Sequence, residues 1–263
     1  MTPHSPDQTF HSSGLVRILS DYDLLNSDGA STEFAEKLAQ WVNFRDAIEL
    51  SALHSSAGAL PEGAGRTLAG RNTSAKSGNA ASAEFKHQLA SLKNKITQSC
   101  SLQPGKLRNP FPTPSAGATL EDGGAYPPYR LYHQDQQREI ETGARKLRAF
   151  ARGHASRASP ALQTLAALDA RFENILNERE TRLLARIPLL LEKRFVQLRA
   201  GHINSLAAGA PSSKPDSARA WLQQPDGWLA RFCNELQTVL LAELDLRLEP
   251  AWGLIEALEC ENP

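Results

Sequence analysis

The stretch that decides the fold is residues 159–204, SPALQTLAALDARFENILNERETRLLARIPLLLEKRFVQLRAGHIN. It opens with Ser159 and Pro160, a typical helix N-cap followed by a typical first helical residue. Apolar residues then recur at helical spacing along one side: Leu162, Leu165, Leu168, Phe172, Ile175, Leu176, Leu183, Ile187, Leu190 and Leu198. Because Pro188 lacks a backbone donor, the pattern predicts one long helix with a kink between Leu184 and Pro188.

Composition extends the helical expectation to the rest of the chain. Of 263 residues, 41% are hydrophobic and only 6% aromatic, and Ala, Leu, Glu, Arg and Gln dominate outside the linker-like stretches. These are good helix formers, whereas strands favour β-branched and aromatic residues. The sequence therefore predicts an all-α fold, an elongated bundle of long amphipathic helices joined by disordered Gly/Ser/Pro linkers.

The order of apolar stripes and breaker residues gives the expected organisation of the chain. A segment capped by Ser31 or Thr32, for example, carries apolar residues at Phe34, Leu38 and Trp41. We expect the following units: an N-terminal helical hairpin (14–54), a flexible linker (55–81), a helix (82–103), a Pro/Gly-rich loop (104–128), a long helical hairpin (129–206), a linker (207–217) and C-terminal helices that pack on the bundle (218–259), with a new short helix starting at Pro250.

Cysteine usage and the absence of targeting signals indicate the compartment. Cys100, Cys233 and Cys260 are odd in number and widely separated, which disfavours a disulfide framework and favours a reducing environment. The first 30 residues lack a basic segment followed by an apolar one, and no run of 18 apolar residues predicts a transmembrane helix. A cytoplasmic protein is expected.

Charge is neutral overall but segregated along the chain. Residues 1–55 hold 3 basic and 8 acidic groups, residues 62–112 hold 8 and 2, residues 130–157 hold 7 and 3, and residues 226–261 hold 2 and 8. Such blocks neutralise one another in a folded bundle or offer a basic face to an acidic partner or nucleic acid. For the basic run 145–157 we favour neutralisation by the acidic C-terminal helix.

Six basic residues are the candidate interaction residues: Arg145, Lys146, Arg148, Arg152, Arg179 and Arg194. Arg145 to Arg152 belong to the basic run, and Arg179 and Arg194 fall near the apolar seam, where they either pack their stems or receive a partner carboxylate. The neighbouring carboxylates Glu173, Glu178 and Glu180 alternate with arginines, which predicts ion pairs along a solvated helix face.

Motifs for catalysis, cofactors and metals are missing or defective. Residues 70–77, GRNTSAKS, resemble a phosphate-binding loop but carry Ala75 in place of the second glycine and follow no predicted strand. The histidines and cysteines lack zinc spacing, and no G-x-S-x-G turn occurs. We predict no catalytic residue, no cofactor and no metal, and hence a protein that is not an enzyme.

Three groups of stretches resemble a bacterial family, the domain-of-unknown-function 3348 family. They are GLVRIL (14–19) with KLAQWVNFRDAIELS (37–51), PYRLY (128–132) through SPALQTLAALD (159–169) with RETRLLARIPLLLEKRF (179–195), and LLAELDLRLEP (240–250). The family implies no activity and no functional residue. The resemblance implies a setting near coiled-coil membrane proteins and peptidoglycan-binding envelope proteins, and so a cytoplasmic accessory of an envelope-spanning assembly.

Long amphipathic stripes, segregated charge and absent chemistry together predict a non-enzymatic helical adaptor or scaffold. Its partners are expected to be other proteins, including membrane-associated ones, and a homo-oligomer stays open. The alternative is a nucleic-acid-associated regulator that uses the basic run, which the lack of a recognisable nucleic-acid-reading module disfavours.

Overall fold

The computed structural model describes residues 14–22, 24, 68–100, 109–112, 125–207 and 227–261. Within these residues all regular structure is helical, which confirms the all-α expectation, while the elongated shape stays a prediction. Six helices are described: α1 (Gly14–Asp21), α2 (Leu68–Ser99), α3 (Pro127–Ala158), α4 (Pro160–Leu184), α5 (Ile187–Ala207) and α6 (Trp228–Cys260). None of the helices described is both long and apolar enough to cross a lipid bilayer.

Helix α6 is the centre of the described bundle, because it packs against each of the other five helices. Its sequence explains this position. Large apolar residues cover most of its circumference and leave one exposed polar stripe, which includes Asp245 and Glu249. A helix that is apolar on most sides is stable only when other helices surround it. The fully buried side chains of α6 include Phe232, Leu236, Leu240, Leu244 and Leu248.

The predicted break at Pro250 is wrong, since α6 continues through it to Cys260. Proline lacks an N–H, so the helix loses the bond to the carbonyl of Leu246. Beyond the proline, Ala251, Ile255 and Leu258 are buried against the bundle. Packing of this last part of the helix outweighs the local cost of the proline, as tertiary contacts commonly do.

The predicted kink near Pro188 is a break between two helices. α4 ends at Leu184 with a tight turn, in which the Ala185 and Arg186 amides donate to the carbonyls of Thr181 and Leu183 at 3.0 and 3.1 Å. Pro188 is then the second residue of α5, where a missing N–H costs nothing because no intrahelical acceptor exists there. The region predicted as one hairpin over 129–206 therefore holds three helices.

Helix α2 begins at Leu68, inside the stretch predicted as a flexible linker (55–81), and it ends at Ser99 rather than at 103. Ala81 and Ser82 are buried. The Ser82 hydroxyl donates to Glu259 near the end of α6, and Lys86 Nζ lies 2.9 Å from Glu259 Oε1. These polar contacts hold this part of α2 on α6, where its small side chains bury little apolar surface. Linker residues 55–67 lie outside the described residues.

The first helix of the predicted N-terminal hairpin is present as α1, which packs on α6 through Leu15 and Leu19. Leu24, just after it, is also buried. The second predicted helix of the hairpin (31–54), residues 208–217 of the predicted linker and residues 218–226 lie outside the described residues.

An aromatic cluster fixes α5 on the bundle. The ring of Phe195 lies 5.0 Å from Phe232, 5.2 Å from Tyr129 and 5.2 Å from Trp228, measured between centroids. Tyr126 adds a hydrogen bond, since its hydroxyl donates to the Pro188 carbonyl at 2.6 Å. Edge-to-face aromatic contacts are directional, so this cluster holds one face of α5 inward and turns the opposite face out.

Candidate interaction surface

Two of the six predicted interaction residues form a buried ionic network between α3 and α4. Arg148 donates to Asp169 through Nε at 3.0 Å and through Nη2 at 2.6 Å, and Arg152 Nη1 lies 3.0 Å from the same carboxylate. Arg152 also pairs with Glu173. Arg148 and Asp169 are both buried. The prediction that the acidic C-terminal helix neutralises these arginines is wrong, because their partners come from α4.

The face of α4 that points inward carries charged residues beside buried apolar ones such as Leu162, contrary to the prediction that its ion pairs lie on a solvated face. Only Glu178 follows the prediction, with an exposed pair to Arg182 one turn later. Glu173 pairs with α3, and Glu180 Oε1 lies 2.8 Å from Arg247 Nη1 on α6. Two apolar residues of the predicted inner stripe, Leu165 and Leu183, are instead 39% and 47% exposed. This side of α4 faces inward because its carboxylates form ion pairs with arginines on two neighbouring helices.

A cavity of about 290 Å³ lies where α3, α4 and α6 meet. Its charged lining is Glu141, Arg145, Arg148, Asp169, Glu173, Glu180 and Arg247. Burial raises the pKa of Glu180, and the facing Arg247 opposes the shift. Each of these charged groups takes part in an ion pair, from the exposed Glu141–Arg145 pair to the Glu180–Arg247 pair between α4 and α6. The cavity is therefore a balanced ionic layer that sets how α4 docks.

The other four predicted interaction residues are dispersed over the bundle. Arg145 is exposed and pairs with Glu141 at 2.7 Å, and Lys146 is exposed beside it on α3. Arg194 donates two hydrogen bonds of 2.7 Å to the Glu235 carboxylate of α6, and its guanidinium lies 5.6 Å from the centre of the Tyr22 ring. Arg179 is half-buried, and its Nη1 has no hydrogen-bond partner among the described residues. No single basic surface unites the six residues.

A fully buried polar group on α3 and α6 escaped the sequence analysis. His133 Nε2 lies 3.0 Å from Glu243 Oε1, at ion-pair distance but without hydrogen-bond geometry, and both side chains have no exposed surface. Gln137 Nε2 donates to the other carboxylate oxygen at 2.8 Å and to the Leu184 carbonyl at 3.0 Å. Apart from the acidic count of the C-terminal helix, the sequence carried no signal for this group.

The thiols are free in the described structure. Cys100 and Cys233 are buried side by side, with the Cys233 thiol donating to the Cys100 carbonyl at 2.8 Å, and Cys260 is exposed. Burial raises the pKa of Cys100 and raises that of Cys233 to about 12. Because the thiolate is the reactive form, burial lowers the reactivity of both thiols.

The outward side of α5 carries apolar residues that nothing in the described part of the chain covers. Leu189, Val196 and Ile203 are 48%, 55% and 37% exposed and stand seven residues apart. The exposed residues Lys193 and Ala200 lie between them. The opposite side, with Ile187, Leu191 and Phe195, is buried in the bundle. We call the line Leu189, Lys193, Val196, Ala200 and Ile203 the α5 seam; its 4-3-4-3 spacing is that of a coiled-coil interface.

Comparison with known proteins identifies a family and no activity. A family model described as "Protein of unknown function (DUF3348)" matches residues 1–260 of the chain. No curated protein and no solved structure matches it.

Proposed function

Because the chain belongs to the DUF3348 family, whose description assigns no activity, we propose a function from the geometry of the chain itself: a non-enzymatic helical adaptor that binds other proteins. The observation that carries this proposal is the α5 seam. Single exposed aliphatic residues are common on protein surfaces. The three exposed aliphatic residues of α5 stand at seven-residue intervals and form a continuous stripe, while the other face of the helix is fixed in the bundle. Such a stripe suits a partner helix.

The layout of charge supports a protein partner over nucleic acid. Of the cations in residues 145–157, Arg148 and Arg152 are held by α4 carboxylates, and Arg145 by Glu141. Binding to nucleic acid depends on many unpaired cations that neutralise phosphates. Arginines already held in buried ion pairs contribute little to such binding.

We also propose a cytoplasmic location beside an envelope-spanning assembly. The three cysteines, odd in number and widely separated along the chain, support a reducing compartment. The envelope setting is the one that the family resemblance implies, and membrane-associated proteins are then the partners to look for.

The decisive experiment is affinity capture of the tagged full chain from cross-linked, nuclease-treated bacterial cells, with membrane and soluble fractions analysed separately by mass spectrometry. We expect the wild-type chain to retain specific proteins that Val196→Glu loses by about tenfold or more, because a charge buried in an apolar contact costs over 1.4 kcal/mol. The matched control is Leu165→Glu, an exposed leucine on α4. It should leave capture unchanged.

One result would reject the α5 seam as the binding surface, and two would reject the adaptor function. Capture that Val196→Glu leaves intact would separate any partner from the α5 seam. Partners that co-purify from a parallel sample without nuclease but not from the treated one, together with salt-sensitive binding of a random DNA duplex, would favour the nucleic-acid alternative. Recovery of the chain without other proteins would favour a protein that assembles only with itself.

A further inference from the structure

The cavity of about 290 Å³ between α3, α4 and α6 has far more room than a water molecule needs. One water requires roughly 15 Å³, and pockets for small ligands begin at about 300 Å³. We propose that this cavity binds a small zwitterion, a free amino acid with its ammonium and carboxylate groups. The proposal does not depend on the adaptor function, since it concerns a cavity within the bundle and not the α5 seam.

The first argument is an unsatisfied donor on Arg247. Arg148 holds Asp169 through Nε and Nη2, and Arg194 holds Glu235 through the same two atoms. This edge of a guanidinium matches the two oxygens of a carboxylate. Arg247 lines the cavity and is buried, yet its ion pair uses Nη1, and its Nε has no hydrogen-bond partner among the described residues. Arg247 can therefore still receive the carboxylate of a ligand.

The second argument is an unsatisfied acceptor on Glu180. Its Oε1 lies 2.8 Å from Arg247 Nη1, at ion-pair distance but without hydrogen-bond geometry. Burial raises the pKa of Glu180, and the guanidinium groups of Arg247 and Arg148 oppose that rise. The carboxylates of Glu141 and Glu173 add to it, because like charges repel. An ammonium group placed among these carboxylates would relieve the repulsion and donate a hydrogen bond to Glu180.

The third argument is the mixed charge of the lining. Four carboxylates and three guanidinium groups line the cavity, so a simple anion and a simple cation would each meet groups of their own sign. Burying an ion costs free energy unless the charge is paired. A zwitterion brings no net charge into the bundle, and it satisfies the donor of Arg247 and the acceptor of Glu180 together.

The fourth argument is the apolar part of the wall. Ala144, Phe172 and Pro250, one from each of the three helices, line the cavity beside the charged groups. Ligand sites combine apolar walls with a few polar groups that fix the orientation of the ligand. Such a wall favours an aliphatic or aromatic side chain over water. We therefore expect amino acids with apolar side chains to bind more tightly than acidic ones.

The test is binding of free L-amino acids to the purified full chain. Each common L-amino acid is added at about 10 mM during thermal unfolding, because a ligand of the native state raises the midpoint. Isothermal titration calorimetry then measures the Kd of the best binder. Glu180→Gln should raise this Kd by at least about tenfold, the loss expected for one charge-assisted hydrogen bond. The matched control Glu178→Gln, at an exposed position of the same helix, should leave it unchanged.

A second pair of variants leaves the ion pairs of the cavity intact. Asn177 is half-buried and lines the cavity, so Asn177→Phe adds a ring there and should abolish binding. Asn174→Phe, at an exposed position of α4 three residues earlier, should bind as the wild-type chain does. Circular dichroism checks that all four variants fold before binding is measured.

Two analogues of the best binder test the need for both charges. The same molecule without its ammonium group, and the same molecule without its carboxylate, should each bind at least about tenfold more weakly. Equally tight binding of either analogue would overturn the inference in favour of a simple anion or cation. A wild-type chain whose midpoint no amino acid raises, or binding that Glu180→Gln and Asn177→Phe leave intact, would overturn it too. No protein partner takes part, so failure here is distinct from failure of the Val196→Glu capture experiment.

Discussion

His133 and Glu243 form the most confined contact between two titratable residues in the described bundle. Both side chains are fully buried, and the second ring nitrogen of His133 has no hydrogen-bond partner among the described residues. Burying a polar group costs free energy unless a hydrogen-bond partner satisfies it. When one member of such a pair is removed, the other stays buried without a partner and its full desolvation penalty destabilises the fold. The pair therefore specifies how α3 meets α6 more than it adds stability.

We expect either single substitution, His133→Leu or Glu243→Leu, to lower the free energy of unfolding by about 2–4 kcal/mol. The double substitution should be less destabilised than the sum of the two by about 1–3 kcal/mol, because an apolar pair replaces an imperfectly satisfied polar one. Urea unfolding followed by circular dichroism measures all three. Strict additivity would contradict the coupling.

Single residues also mark the limit of what the sequence could predict. Ser159 was identified as a cap from its position before Pro160, and its hydroxyl accepts from the Leu162 amide at 3.2 Å. Local chemistry of this kind depends only on neighbours along the chain. His133 and Glu243 stand 110 positions apart, so no local pattern joins them. Only the docking of α3 on α6 brings them together.

At the level of helices, the docking of α4 depends on buried ion pairs as well as on its buried apolar residues. Asp169 accepts from both Arg148 and Arg152, and these contacts lie inside the bundle. Removing Asp169 leaves Arg148 as an uncompensated buried cation, whereas Arg152 keeps its pair with Glu173. Exposed pairs such as Glu178–Arg182 contribute little, because water screens them and holding two long side chains costs entropy.

Asp169→Ala should therefore destabilise the protein by about 3–5 kcal/mol. Its matched control on the same helix, Glu178→Ala, should change the free energy of unfolding by less than about 0.5 kcal/mol. Denaturant unfolding of both variants gives the comparison. Equal effects would mean that α4 is held by its apolar contacts, as its sequence pattern first indicated.

The spacing of apolar residues located the helices but did not fix how each one is rotated or where it ends. Pro188 marked the right place for a disturbance, yet a kink and a break have the same sequence signature. Pro250 shows the opposite error, since tertiary packing carried α6 through a residue that usually stops a helix. Leu165 was expected inside because the stripe contains it, whereas the arginines of α3 draw Asp169 inward instead.

For the whole molecule, the important fact is that every other described helix packs on α6. Its middle part, from Phe232 to Leu248, carries five large side chains with no exposed surface. Each surrounding helix buries part of its apolar side against α6. Stability of the bundle is therefore shared, and partial unfolding that frees α6 would expose the core of all its neighbours.

We accordingly expect one cooperative unfolding transition, with coincident midpoints from circular dichroism and from tryptophan fluorescence. In native-state hydrogen exchange, amides from Phe232 to Leu248 should exchange slowest, through global unfolding, and amides of α5 near Ile203 should exchange faster because that part of the helix lies at the exposed side of the bundle. Peptide-resolved mass spectrometry gives both rates in one experiment. Two separate transitions, or an α6 that exchanges as fast as α5, would mean that the helices fold as independent units and that α6 does not organise them.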